Sequence, residues 1–182
     1  MPFITHKAGL FMLVLVLISP GSAANYLDKI QLLDTRGKPH SLGDYIGKGK
    51  WVVLNIWGPG CPPCEEEMPE LVRFHDAHAS AGGNAMVLGI AIGFPGYDYA
   101  DASRVQTFME EYLIDFPVLL SDGSITGQMG LGELQGVPTT YVFTPQGEIA
   151  GMQVGAITQA VLDRFIEEKT RTQNNADDRQ SK

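Results

Sequence analysis

Two stretches of the chain are apolar at nearly every position and rich in branched side chains, WVVLNIW (51–57) and AMVLGIAIG (85–93). Runs of this length without polar alternation predict strands buried on both faces. Elsewhere the apolar residues recur at helical spacing. Leu71 and Phe74, with Met68 and Val72 beside them, give a stripe on a helix that follows the first strand directly. Pro62 suits its first turn, and Pro69 inside it predicts a kink. Val105, Phe108, Met109 and Tyr112 mark a second helix from Asp101, and FPVLL (116–120) a short strand that Pro117 confines to a start or an edge. Gly123 to Gly132 reads as a weakly helical link. TTYVF (139–143), the turn Pro145-Gln146-Gly147 and EIAGMQV (148–154) predict a hairpin. A last helix from about Ile157 to Lys169 turns Val161, Leu162, Phe165 and Ile166 inward. Ahead of all this, YLDKIQLLDTRGKPHSL carries a strand, a turn at Arg36-Gly37-Lys38 and a short second strand.

The ends of the chain differ in kind. Residues 1–24 hold Lys7, a continuous apolar run from Leu10 to Ile18, the turn-prone Ser19-Pro20-Gly21 and small residues at Ser22 and Ala24. This is the pattern of a cleaved export signal. The alternative is an uncleaved membrane anchor, but the run is shorter than the roughly 20 residues a spanning helix needs. No cysteine follows it, which argues against lipid attachment. At the other end TRTQNNADDRQSK (170–182) has almost no apolar content and predicts a solvated, flexible tail. Residues 25–169 therefore form one domain, expected in the periplasm or another extracytoplasmic space. Apolar residues make up 44% and charged residues 19% of the chain, values of a globular protein. The formal charge of −8 excludes a basic nucleic-acid footprint, and removing a leader with one lysine and no acid makes it more negative.

Export bears on the two cysteines, Cys61 and Cys64, which lie in WGPGCPPCEEEMPEL (57–71). An oxidising compartment permits structural disulfides. A bridge between positions three apart closes so small a loop that it removes little unfolded-state entropy, so a redox role is the stronger reading. The order β-α-β-α-β-α-β-β-α, with a CxxC at the first strand–helix junction, predicts an α/β thioredoxin-like fold. It would have a central mixed sheet flanked by helices, an N-terminal β-hairpin extension and a central βα insertion.

LNIWGPGCPPCEEEMPEL (54–71) together with LQGVPTTYVFTPQGEIAGMQVG (134–155) resembles the TlpA/ResA/CcmG branch of the thioredoxin superfamily, exported thiol–disulfide oxidoreductases. The likeness covers roughly residues 27–168. It implies a cis Val137–Pro138 bond beside the disulfide, with Val137 and Pro138 docking the client's chain. Asn55 stands where thioredoxin proper has a buried aspartate, and Glu67 matches a glutamate of the branch. Pro59-Gly60 departs from the aromatic or threonine common before the first cysteine, which bears on the surface a partner meets.

Thiol–disulfide exchange needs an attacking thiolate and a second thiol that resolves the mixed disulfide. Cys61, exposed at the helix N-terminus, is expected as nucleophile, favoured by unpaired N–H groups and the helix dipole. Cys64 is expected as the resolving thiol in the first turn, with Glu67 one turn on as its general base. Pro62 and Pro63 stiffen the loop and join the docking surface. Trp57 either shelters the site or is core at a strand end. Three carboxylates, Glu65 to Glu67, oppose the dipole and predict a reductant. The redox disulfide itself is expected to suffice, without cofactor or metal. The implied partners are a membrane-embedded thiol electron donor and an exported client such as an apocytochrome c or a copper-site protein. Two further readings are a disulfide-forming oxidant and a copper chaperone. The chaperone is disfavoured because His75 and His78 lie more than two turns from Cys64, with His40 elsewhere.

Overall fold

The computed structural model describes residues 24–80 and 82–180. The expected leader therefore lies, apart from Ala24, outside the described residues. The elements follow the predicted order. A short α1 (Ala24–Leu27) precedes the hairpin β1 (Gln31–Asp34) and β2 (Pro39–Ser41), then come β3 (Trp51–Trp57), α2 (Pro62–His78), β4 (Ala85–Ala91), α3 (Ala102–Glu111), β5 (Val118–Leu120), α4 (Ile125–Gln128), β6 (Thr139–Phe143), β7 (Ile149–Val154) and α5 (Gln159–Gln180).

Seven strands form one mixed sheet in the order β2-β1-β5-β4-β3-β6-β7. The parallel pairs β3–β4 and β4–β5 form its centre, and β6 runs antiparallel to β3. Every residue of β3 is buried, as the unbroken apolar run requires. Alternate β3 side chains serve two cores. Trp51, Val53 and Trp57 pack with α2, α3 and α5, whereas Val52, Leu54 and Ile56 pack with Leu27, Leu42, Ile125 and Met129 on the other face. The N-terminal hairpin extends the sheet through an antiparallel β1–β5 pairing. β5 lies between β1 and β4, so Pro117 marks a strand start and not an edge.

α2 is one helix from Pro62 to His78 with Pro69 inside it, and it buries Cys64, Glu67, Met68, Leu71 and Phe74. Two expectations are corrected. α5 does not stop at Lys169 but is helical to Gln180. Polarity alone does not end a helix. This stretch has no Pro or Gly, and Arg171 pairs with Glu167 one turn back at 3.1 Å. Val161 is 38% exposed, because Leu162 and Ile166 form the buried row and Val161 lies a third of a turn aside. Val137–Pro138 is cis as the resemblance implied, and a second cis bond at Phe94–Pro95 was not anticipated.

Gly58 joins β3 to the loop before the cysteines. A Cβ there would sit 2.7 Å from the Ile92 carbonyl oxygen and 2.9 Å from Phe94 Cβ. Gly58→Ala is expected to destabilise the protein by about 1–3 kcal/mol, read as a lower urea midpoint with an unchanged denaturant slope.

Candidate active site

The parallel strands β3 and β4 end at one edge of the sheet, and there the backbone turns sharply. Gly60, at φ +86°, takes a left-handed conformation that a side chain would strain. The turn brings Cys61 back to the N-cap of α2, its amide donating to the Gly58 carbonyl at 3.2 Å. Cys64 follows in the first helical turn, and the two are joined by a disulfide with Cα atoms 5.3 Å apart. Arg104 of α3 reaches across to donate to the Pro59 carbonyl at 3.3 Å, pinning the loop from outside.

Cys61 is not exposed, contrary to expectation. Both cysteines are 0% exposed, because the left-handed turn folds Cys61 beneath the Val137–Pro138 loop. Its sulfur lies 3.7 Å from the Val137 carbonyl oxygen. Around this buried bridge Gly60, Pro62 and Pro63 are exposed, Val137 is half-buried and Pro138 is buried. Trp57 is wholly buried, its ring tilted by 34° against Phe108 with ring centroids 4.7 Å apart. It shares its buried cluster with Cys61 and Cys64, and being 0% exposed it presents no docking surface of its own.

The helix start carries fewer free donors than expected. A helix ordinarily leaves its first amides unpaired. Here the Cys61 amide is taken by Gly58, Pro62 and Pro63 have none, and the Cys64 and Glu65 amides donate to the Cys61 carbonyl at 2.9 and 3.1 Å. No orphan N–H of the first turn is left for a Cys61 thiolate.

Glu67 faces inward from α2, one turn beyond Cys64 and only 1% exposed. Its Oε1 accepts from Asn55 Nδ2 at 2.8 Å and its Oε2 from the Ile157 amide at 2.9 Å. Burial pushes its carboxyl up to about 7, against the two hydrogen bonds, which favour the ionised form. The acidic cluster thus divides. Glu67 is core, Glu65 half-buried and Glu66 exposed, so two carboxylates and not three oppose the dipole at the surface. Glu70 on the same helix accepts from the Gln159 amide at 3.0 Å, so two carboxylates of α2 hold the approach to α5.

Asn55 and Thr140 were given no role from sequence, yet Asn55 Nδ2 also donates to Thr140 Oγ1 at 3.0 Å, joining β3 and β6 behind Glu67. The signal was available, because a polar residue inside an otherwise apolar buried strand must find a partner. The histidines are engaged elsewhere. His75 Nδ1 accepts from the Val87 amide, His78 pairs with Asp163, and His40 lies between Asp34 and Tyr45. Among the described residues no cluster of three or more metal-binding side chains occurs.

Comparison with known proteins decides the family, whose model, the AhpC/TSA family, matches residues 23–152. The chain belongs to that family. It is a thiol–disulfide oxidoreductase of thioredoxin-like fold carrying a Cys61–Cys64 pair. It is 31% identical over 137 residues to the thiol–disulfide oxidoreductase ResA of Geobacillus kaustophilus, covering 75% of this chain and 71% of that protein. To ResA of Bacillus subtilis it is 30% identical over 151 residues, covering 82% and 75%. Among solved structures, a thiol:disulfide interchange protein from Chlorobium tepidum superposes with a TM-score of 0.63 at 27% identity, covering 76% of this chain and 91% of that one. A DsbF homologue from Corynebacterium diphtheriae gives 0.65 at 28% identity, covering 78% and 85%. Thiol-bearing proteins are the class of client for this oxidoreductase family.

The raised Glu67 carboxyl has a consequence for stability. The folded state holds a proton that the unfolded chain releases near 4.5, so stability is full below that value and is lost as pH rises towards and through about 7. The loss is expected to reach at most about 3 kcal/mol, and Glu67→Gln should flatten this slope in urea titrations across the same window.

Proposed function

We propose that this oxidoreductase acts outside the cytoplasm as a reductant of disulfides in exported client proteins. The observation that carries the direction is the exhausted donor set at the start of α2. With no orphan amide of the first turn facing Cys61 and two carboxylates at the surface beside it, the thiolate gains little from the helix end. A poorly stabilised dithiol gives up its electrons readily. The leader-like N-terminus supports the location, and a similar solved structure is a secreted thiol–disulfide isomerase from Corynebacterium glutamicum. Among the described residues no helix is long and apolar enough to cross a membrane.

In the reaction, the Cys61 thiolate attacks one sulfur of the client disulfide and the other client sulfur leaves as a thiolate. The Cys64 thiol then passes its proton to the Glu67 carboxylate. The Cys64 sulfur attacks Cys61, the second client thiolate is released, and the protein is left with the Cys61–Cys64 disulfide. Two electrons have passed to the client. A membrane-embedded thiol donor restores the dithiol. Glu67 suits its part because a carboxyl poised near 7 takes up and gives back a proton at little cost at neutral pH. Pro62, Pro63, Val137 and Pro138 frame the docking surface. Among the described residues the Val137 amide has no backbone partner, which leaves it available to an extended client strand. Apocytochromes c and copper-site proteins awaiting reduced thiols are the proposed clients.

Cys64→Ser should accumulate the client as a mixed disulfide on Cys61, seen as a band lost on reduction. Glu67→Gln should slow the resolving step at neutral pH by about 100-fold or more, measured by stopped flow on a disulfide-bonded peptide. A reduction potential near about −120 mV, the value of a strong oxidant, would overturn the proposed direction.

A further inference from the structure

Glu67 is held by partners that suit only one of its charge states. Both hydrogens of Asn55 Nδ2 are committed, one to Glu67 Oε1 at 2.8 Å and one to Thr140 Oγ1 at 3.0 Å. The Ile157 amide donates to Oε2 at 2.9 Å. An ionised carboxylate accepts all of this, whereas a protonated one would set its own O–H against a donor. Asn55 Oδ1, meanwhile, is buried with no partner among the described residues. Asn55 is 0% exposed and Thr140 1%, so neither turns to bulk solvent for relief.

We propose that the Asn55 side-chain amide reverses end for end when Glu67 takes up a proton, making Asn55 the positioning residue that lets one buried carboxyl be held in both charge states. The exchange loses no bond. Oδ1 comes to accept from the protonated Oε1 and from the Thr140 hydroxyl, which rotates from acceptor to donor. Nδ2 moves to the place Oδ1 held, so one buried polar atom is unpaired before the exchange and one after. The Ile157 amide is fixed as a donor, which directs the proton to Oε1. Without the reversal, a protonated Glu67 facing two donors would lose a buried hydrogen bond outright.

The elements packed on Glu67 bring no competing charge. β3 contributes Asn55, β6 contributes Thr140 and the approach to α5 contributes the Ile157 amide. On α2 the neighbours one turn away are Cys64 and Glu70, the latter held by Arg73 and the Gln159 amide. The shift of Glu67 comes from burial and these hydrogen bonds alone.

The inference rests on Glu67 carrying the proton of Cys64. It is tested first on the unmodified, oxidised protein, by following the Glu67 carboxyl carbon and the Asn55 side-chain amide by NMR through neutral pH. The Asn55 amide protons are expected to shift with the midpoint of the carboxyl. A carboxyl that titrates while the Asn55 signals stay still would overturn the proposal. Second, Asn55→Leu removes the stronger, charge-assisted bond to the ionised form. The Glu67 midpoint should rise by about one pH unit, and the pH profile of the resolving step should move with it. In a Glu67→Gln background Asn55→Leu should leave that profile unmoved. An unshifted midpoint in Asn55→Leu would overturn the positioning role. An undiminished resolving rate in Glu67→Gln would instead overturn the proton-carrier reading, while the NMR titration still decides the amide reversal.

Discussion

One buried carboxylate organises this protein. Glu67 sits in the interior, and everything around it is arranged to make that tolerable. Asn55 from β3 and the Ile157 amide before α5 each give it a hydrogen bond, and Thr140 from β6 holds Asn55 in turn. Four separate segments therefore meet at one polar point inside an otherwise apolar core. A charged group buried this deeply costs several kcal/mol unless it is paired or neutralised. The protein uses partial neutralisation, and the resulting poise near neutral pH is the property the proposed chemistry needs. The same contacts join the active-site helix α2 to the C-terminal helix, reinforced by Glu70 on the Gln159 amide.

The disulfide sits where a short-range and a long-range constraint meet. Locally, a left-handed glycine and two consecutive prolines leave Cys61 at the N-cap of a helix whose first-turn donors are absent or already used. At long range in sequence, the Val137–Pro138 loop at the start of β6, the strand paired beside β3, closes over the sulfur. The first constraint governs the stability of the thiolate, and the second governs which chain reaches it. They come from different parts of the sequence, so each can change without the other.

Much of the fold was legible in local pattern. The bounds of β3 and β6 coincide with their apolar runs, and α3 begins from its N-cap Asp101, where its helical spacing was read to start. The errors share a cause. Val161 was assigned inward because apolar character was read as burial, yet only one row of α5 fits against the sheet. The last helix was ended at Lys169 because the residues beyond it are polar, although helix formation depends on backbone freedom and side-chain pairs more than on apolar content. Cys61 was expected at the surface because a helix N-terminus is usually open. Whether it is open depends on what the rest of the chain lays across it.

The sequence by itself determined the chemistry available: two cysteines three positions apart at a strand–helix junction, a glutamate one turn on, and a proline-bearing loop that resembles a known family. These follow from spacing, and spacing survives without a fold. The tertiary structure alone decided the environment of each group. It closed over Cys61, buried Trp57, separated Glu67 from its two acidic neighbours and gave Asn55 its partners. Burial and hydrogen-bond pairing are long-range properties, since Asn55 and Thr140 are 85 residues apart and Glu67 and Ile157 are 90. No local pattern carries that information, and it is the environment that converts a glutamate into a group titrating near neutrality.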